Sequence, residues 1–289
     1  MSAEVEAQVA RFAGRPWAAV VAGAMARGLA VPSMLKREES QLYHWLGREV
    51  RGDGATVDLG AYAGGSAARL LSGLELSGRG FHLHAYDHFR SSRTFWEKFL
   101  PGEPVPDQDN ADILPLARRH LAPWAGQVTL HKGEIAETRW MDGEIEILAV
   151  DAAKGAAIAD HVAAEFYPAL VPGRSVVVQQ DYLISVQPWL SAQMVMLAGC
   201  FRPLALVAKD CVVFLCVRPP SAAEVQAART QELTDGALMK RVREAATWHE
   251  GMIERDRFRA MLQRIRDNPG VRLGWQMRQA DRARKAGNV

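Results

Sequence analysis

Cysteine is scarce in this chain. Cys200, Cys211 and Cys216 are its only three in 289 residues, too few and too irregularly spaced for a disulfide framework or a zinc pattern. Cys211 and Cys216 have opposite parity in one apolar run, so they read as strand residues on opposite faces. A reducing cytoplasm is the expected compartment. An excess of one charge is also missing. The formal net charge is +2, which argues against a dedicated nucleic-acid binder. The chain opens on Glu4 and Glu6 with no basic stretch of the kind that starts a secretory leader. The Ala/Val-rich run from Trp17 to Val31 is broken by Arg27 and is too short to span a bilayer; a buried helix is expected there. There are no internal repeats and no separate linker.

What is present begins with a glycine-rich turn. Val57-Asp58-Leu59-Gly60-Ala61-Tyr62-Ala63-Gly64-Gly65-Ser66 starts as an apolar strand after Asp53-Gly54. It runs into a helix whose Ala67, Leu70, Leu71 and Leu74 have the i, i+3, i+4, i+7 spacing of a buried face. Glycines allow positive φ and let backbone amides approach a ligand, and a helix start favours an anionic group. The pattern is acidic-x-Gly-x-x-x-Gly-Gly, not the G-x-G-x-x-G of dinucleotide folds. An ordinary tight strand-to-helix turn is the alternative.

Residues 1–50 read as a helical cover, with Leu42, Trp45, Leu46 and Glu49 on one face of its last helix. The second strand spans 80–86 and ends at Asp87, followed by His88 and Phe89. Ligands of open α/β sheets bind beyond the carboxyl ends of the strands, so an acid here suits a ribose diol; capping the next helix is the competing role. Phe95, Trp96 and Phe99 form an aromatic helix face. The proline-punctuated stretch 101–110 then reads as a lid, since long loops in compact domains are seldom idle. Arg118, Arg119 and His120 read as a solvated helix face, recognition of an acidic substrate group being the alternative. A third strand at 128–130 precedes Glu134 and Ile135, and a fourth at 146–150 ends in Asp151-Ala152-Ala153-Lys154. A fifth at 175–178 ends in Gln179-Gln180-Asp181-Tyr182, and 201–208 with 211–218 read as a hairpin. Alternating strands and helices predict a mixed α/β sheet. After Pro219-Pro220 the pattern is helical, with a capping box at Ser221–Glu224. An apolar stripe there includes Ile253, Phe258, Met261, Leu262 and Ile265. Many arginines follow, among them Arg255, Arg257, Arg259, Arg264, Arg266, Arg272, Arg278, Arg282 and Arg284.

With these residues in order, the chain over about residues 34–218 resembles a class I S-adenosylmethionine-dependent methyltransferase. Asp151-Ala152-Ala153-Lys154 resembles the Asp-x-x-Lys of the catechol and caffeoyl-CoA O-methyltransferase branch. Gln180-Asp181-Tyr182 is similar to the Asp-Asp-Tyr of macrolide-sugar O-methyltransferases. The resemblance implies a Rossmann-like, mostly parallel seven-stranded α/β sheet with an antiparallel last strand and helices on both faces. It also implies three parts: the helical cover 1–50, a cofactor-binding domain 51–218 and a helical extension 219–289. In that domain Asp58, Gly60, Ala61, Tyr62, Gly64 and Ser66 would hold the methionine end of S-adenosylmethionine, Asp87 the ribose, and Glu134 with Ile135 the adenine, with His88 and Phe89 against the adenosine. Asp151 would belong to both the cofactor site and the chemistry.

In metal-dependent branches a divalent ion, Mg²⁺, is held at positions matching Asp151, Gln180 and Asp181. A glutamine at one of these removes a charge, which lowers affinity for a hard cation. The alternative is that Gln180 and Asp181 bond the strand ends or the substrate directly. Lys154, Asp151 and Asp181 are the catalytic candidates, with Lys154 near the acceptor as base or as orienting group. The function implied is O-methylation of a small-molecule or sugar hydroxyl, with no nucleic-acid or membrane partner. Apolar helices at both ends suggest a homodimer. A non-catalytic S-adenosylmethionine-binding partner protein, docking through its basic helical tail, is the second reading. A nicotinamide-dependent oxidoreductase conflicts with the loop spacing and the final hairpin.

Overall fold

A computed structural model describes residues 3–277. The chain divides into two compact units, Ala7–Asp151 and the remainder; of the tail arginines, Arg278, Arg282 and Arg284 lie outside the described residues. In the first unit β1 (Ala55–Leu59), β2 (Leu83–Asp87), β3 (Val128–Lys132) and β4 (Ile145–Val150) run parallel in the order 3-2-1-4. The other unit carries β5 (Val176–Gln179) beside the antiparallel hairpin β6 (Phe201–Val207) and β7 (Cys211–Cys216), in the order 5-7-6. These are the strands of a seven-stranded, mostly parallel sheet with helices around it. Strands β4, β5 and β7 are buried along their whole length, so their sequences are near-continuous apolar runs, interrupted by the buried Glu146 in β4 and Gln179 at the end of β5, and not alternating ones. All three thiols are buried beside or within the hairpin, and burial pushes that of Cys216 up to about 12.

The N-terminal region departs from expectation. Helix α1 (Ala3–Ala13) is present, but the Ala/Val-rich run is not a continuous helix. It breaks into two 3-10 turns, Pro16–Ala19 and Ala22–Met25, and the single turn Ala26–Leu29. The cause is local: Arg15 sits at φ 48° and Pro16 follows it, while Val20, Val21 and Gly23 are poor helix formers. Helix α2 (Arg37–Arg48) packs on α3 (Gly65–Leu74), the helix that follows the glycine-rich turn. The two approach so closely that a Cβ on Gly73 would lie 2.0 Å from the His44 carbonyl oxygen, and one on Gly47 2.3 Å from that of Leu70. No side chain fits at either position.

The stretch between β2 and β3 is more ordered than a loop. Arg90–Ser91 and Ala111–Asp112 pair as a two-stranded ribbon flanking α4 (Arg93–Phe99). Phe89, Trp96, Leu100 and Ile113 bury against Ala63 of the glycine-rich turn and Leu116 and Ala117 of α5 (Leu114–Leu121). In the other unit α6 (Ala156–Phe166) and α7 (Pro188–Met196) flank the strands. The predicted capping box opens α8 (Ala222–Ala227); α9 (Asp235–Trp248) and α10 (Arg255–Asp267) follow, with Phe258, Met261 and Ile265 buried. No helix among the described residues is long and apolar enough to cross a membrane.

Candidate active site

In the first unit three carboxylates gather where β1, β2 and β4 end. Asp58 is in register with Ala85 and Ala149, Asp87 is the last residue of β2, and Asp151 follows β4, its amide donating to the Leu59 carbonyl at 2.8 Å. Asp58 has no exposed surface. Its Oδ2 accepts a 2.6 Å bond from the Ser66 hydroxyl, and its Oδ1 has no hydrogen-bond partner. Burial pushes the carboxyl up to about 7; the Ser66 hydroxyl and the Ala67 amide oppose the rise, and the charges of Asp151 and Asp87 add to it. A buried carboxylate oxygen without a donor is costly. A donor-bearing, positively charged ligand would relieve both the orphaned oxygen and the mutual repulsion.

The turn itself needs unusual backbone. Gly60 and Gly64 have φ of 99° and 90°, and Tyr62 is at 49°, a strained value for a residue with a side chain. Two bonds hold it there: the Tyr62 amide donates to Asp87 Oδ2 at 2.9 Å, and its hydroxyl lies 2.6 Å from Ser91 Oγ. The amides of Gly60 and Ala61 donate to the Tyr86 carbonyl and that of Gly64 to the Ala61 carbonyl. Four amides expected to face an anion therefore face the protein. What the turn offers a ligand is chiefly the carboxylate side of β1 and the start of α3.

Asp87 does not cap the next helix, which begins at Arg93 with Ser92 as its N-cap. Its Oδ1 instead accepts from the Phe89 amide at 2.6 Å in a local turn and lies 2.8 Å from His88 Nδ1. A carboxylate has about four acceptor positions, so three protein bonds leave room for one more donor. The bond to Asp87 raises the His88 pKa, burial opposes it, and Glu134 adds to the rise. The Gly133 amide donates to the Asp87 carbonyl, which brings Glu134 and the buried Ile135 to the same strand ends.

Two residues that hold the turn escaped the sequence reading. His120 Nδ1 donates to the Ala63 carbonyl at 2.7 Å, with Nε2 3.5 Å from Glu103 Oε1, so part of the predicted solvated face is a tether. Arg119 does pair with Glu103 at the surface. Arg69 is buried in α3 and donates to the carbonyls of Val31 at 2.6 Å and Gly65 at 2.9 Å. The legible signal was a cation inside an otherwise apolar helical run.

In the second unit Lys154 and Asp181 form an ion pair at 2.6 Å, and Gln187 Nε2 donates to the same Asp181 oxygen at 3.1 Å. Asp181 sits at φ 56°, and Gln180 beside it is buried. This bonding does not suit the predicted metal. The ammonium already balances the Asp181 carboxylate, and no group of three His, Cys, Asp or Glu able to hold an ion occurs among the described residues.

No protein-family model matches the sequence, and no curated protein matches it significantly. Solved structures do share its fold. The O-methyltransferase NovP superposes with a TM-score of 0.52 at 16% identity, over 64% of this chain and 82% of that one. The SAH-bound methyltransferase PaMTH1 of Podospora anserina superposes with a TM-score of 0.46 at 13% identity, over 75% of this chain and 89% of that one. At such identity the likeness is one of architecture: the chain has the Rossmann-like fold of the class I O-methyltransferases.

Proposed function

We propose that this protein is an S-adenosylmethionine-dependent methyltransferase that methylates a hydroxyl of a small molecule or sugar. The observation that carries the reading is the convergence of Asp58, Asp87 and Asp151, with a buried Asp58 oxygen lacking a donor. S-adenosylmethionine brings an ammonium, a sulfonium and a ribose diol, and supplies a methyl group when bound. Asp58 and Ser66 would receive the ammonium end and Asp87 the ribose. His88, Glu134 and Ile135 would flank the adenine, and Asp151 would face the positive sulfur. A nicotinamide dinucleotide would bring a pyrophosphate to the same three carboxylates and be repelled.

The chemistry then needs an acceptor oxygen in line with the methyl carbon. Holding two reactants in line can contribute roughly 7–11 kcal/mol. Transfer would form the oxygen–carbon bond as the sulfur–methyl bond breaks, the neutral thioether S-adenosylhomocysteine leaving, and Asp181 would take the proton that the acceptor hydroxyl gives up. Lys154, paired with Asp181 at 2.6 Å, would orient the acceptor and steady charge on its oxygen. The reading includes a small-molecule acceptor as the sole substrate partner and a homodimer as the assembly, which light scattering would check.

Calorimetry with S-adenosylmethionine and NAD, followed by detection of S-adenosylhomocysteine release with hydroxylated acceptors, tests the reading. Binding of the first alone, with release on adding an acceptor, supports it; failure to bind it removes it. The partner-protein alternative draws on the basic tail, but much of that charge is neutralised internally. Arg257 pairs with Asp210, Arg259 with Asp256, Arg255 with Glu250 and Arg272 with Asp235.

A further inference from the structure

The segment after α10 binds the backbone that carries Lys154. Gly155 and Leu273 form an antiparallel bridge. On one side the Ala156 amide donates to the Arg272 carbonyl at 3.0 Å; on the other the Gly274 amide donates to the carbonyl of Lys154 itself at 3.0 Å. A Cβ on Gly155 would lie 2.6 Å from Leu273 Cδ2, a measure of how closely the two stretches approach. The segment is anchored in turn. Arg272 is buried; its Nη2 donates to the Leu233 carbonyl at 2.6 Å and its Nη1 lies 2.9 Å from Asp235. The other Asp235 oxygen accepts from the Gly270 amide at 2.9 Å.

The same segment reaches Asp181 indirectly. A Cβ on Gly274 would stand 3.4 Å from Gln187 Cγ, and Gln187 is the residue that shares the Asp181 oxygen with Lys154. Both members of the ion pair are thus braced by one stretch of chain: Lys154 through its carbonyl, Asp181 through Gln187. Residues 151–154 have no regular structure of their own; Trp189 Nε1 holds the Ala153 carbonyl at 3.1 Å, and the bridge holds that of Lys154.

We infer that residues 271–274, anchored by Arg272, are a positioning segment that holds Lys154 against Asp181. The consequence for catalysis rests on the proposed role of that pair at the acceptor. The C-terminal extension is then part of the acceptor machinery and not a docking tail.

The test uses the full-length chain with Arg272→Gln, which removes the anchor, and Arg272→Lys, which keeps its charge. Lysine amines are acylated with limiting reagent and quantified by peptide mass spectrometry. Freeing an ion pair of this exposure should raise Lys154 labelling about two- to fivefold. Lys98, in the other unit, serves as internal standard and stays unchanged, and Arg272→Lys falls between Gln and parent. Where turnover is measurable, kcat falls while the cofactor KM holds. Unchanged Lys154 labelling in a folded Arg272→Gln protein overturns the inference. Should that variant not fold, hydrogen exchange of the parent decides: Gly274 and Ala156 amides as protected as those of α6 support it, and exchange at the rate of unstructured chain overturns it. Both readouts are free of turnover, so they stand apart from the methyltransferase reading.

Discussion

A carboxyl group that titrates near neutrality inside a protein makes two quantities depend on pH, and at Asp58 they move in opposite directions. Its folded pKa, about 7, lies above the ordinary carboxylate value. The unfolded chain therefore ionises first, and stability falls as pH rises from about 4 through 7. Asp58→Asn keeps an acceptor for Ser66 and removes that penalty. Its unfolding midpoint in denaturant should exceed the parent's at pH 8 and match it near pH 4. Binding runs the other way. The cation proposed as ligand needs Asp58 ionised, so its affinity should weaken by up to about tenfold per pH unit below 7, and Asp58→Asn should lose binding altogether. Calorimetry from pH 6 to 8 checks both; affinity independent of pH would remove Asp58 from the site. His120→Ala removes the donor to the Ala63 carbonyl. A neutral hydrogen bond is worth about 1 kcal/mol, so cofactor affinity should drop about fivefold with the fold retained.

Between elements, the contact of α2 with α3 is the most demanding. Gly47→Ala or Gly73→Ala places a methyl within 2.3 Å of a carbonyl oxygen, and overpacking of this kind costs typically 1–3 kcal/mol. Urea unfolding should show the loss, together with weakened cofactor binding, because α3 carries the turn. Much at this scale was legible in the sequence. The stripe Ala67, Leu70, Leu71 and Leu74 marks α3, and all four are buried. The β-branched runs mark β4, β5 and β7 within a residue or two of their ends. The 90–113 ribbon was not legible: its strands are two residues long, below any detectable period, and its core forms only when Phe89 and Trp96 meet Ala63 and Ile113. The same holds for the 271–274 bridge, a backbone pairing about 120 residues apart with no side-chain pattern to announce it.

For the molecule as a whole, the acids at the strand ends were readable because sheet position and residue type coincide. Their coupling was not, since it depends on distances across three strands. A ligand that joins them should stabilise the entire cooperative unit. At a hundredfold excess over Kd it would add about 2.7 kcal/mol, a rise of roughly 4–5 °C in Tm for a chain of this size. Differential scanning fluorimetry with S-adenosylmethionine would register it, and no rise at saturation would contradict the proposed cofactor.

The burial of all three thiols at the β6–β7 hairpin gives the protein a built-in clock. Sealed sulfurs react with a disulfide reagent only when the sheet edge opens, so the rate of labelling in native buffer times that opening without any added probe. Followed against denaturant, that rate tells whether the hairpin opens locally or only with the whole chain.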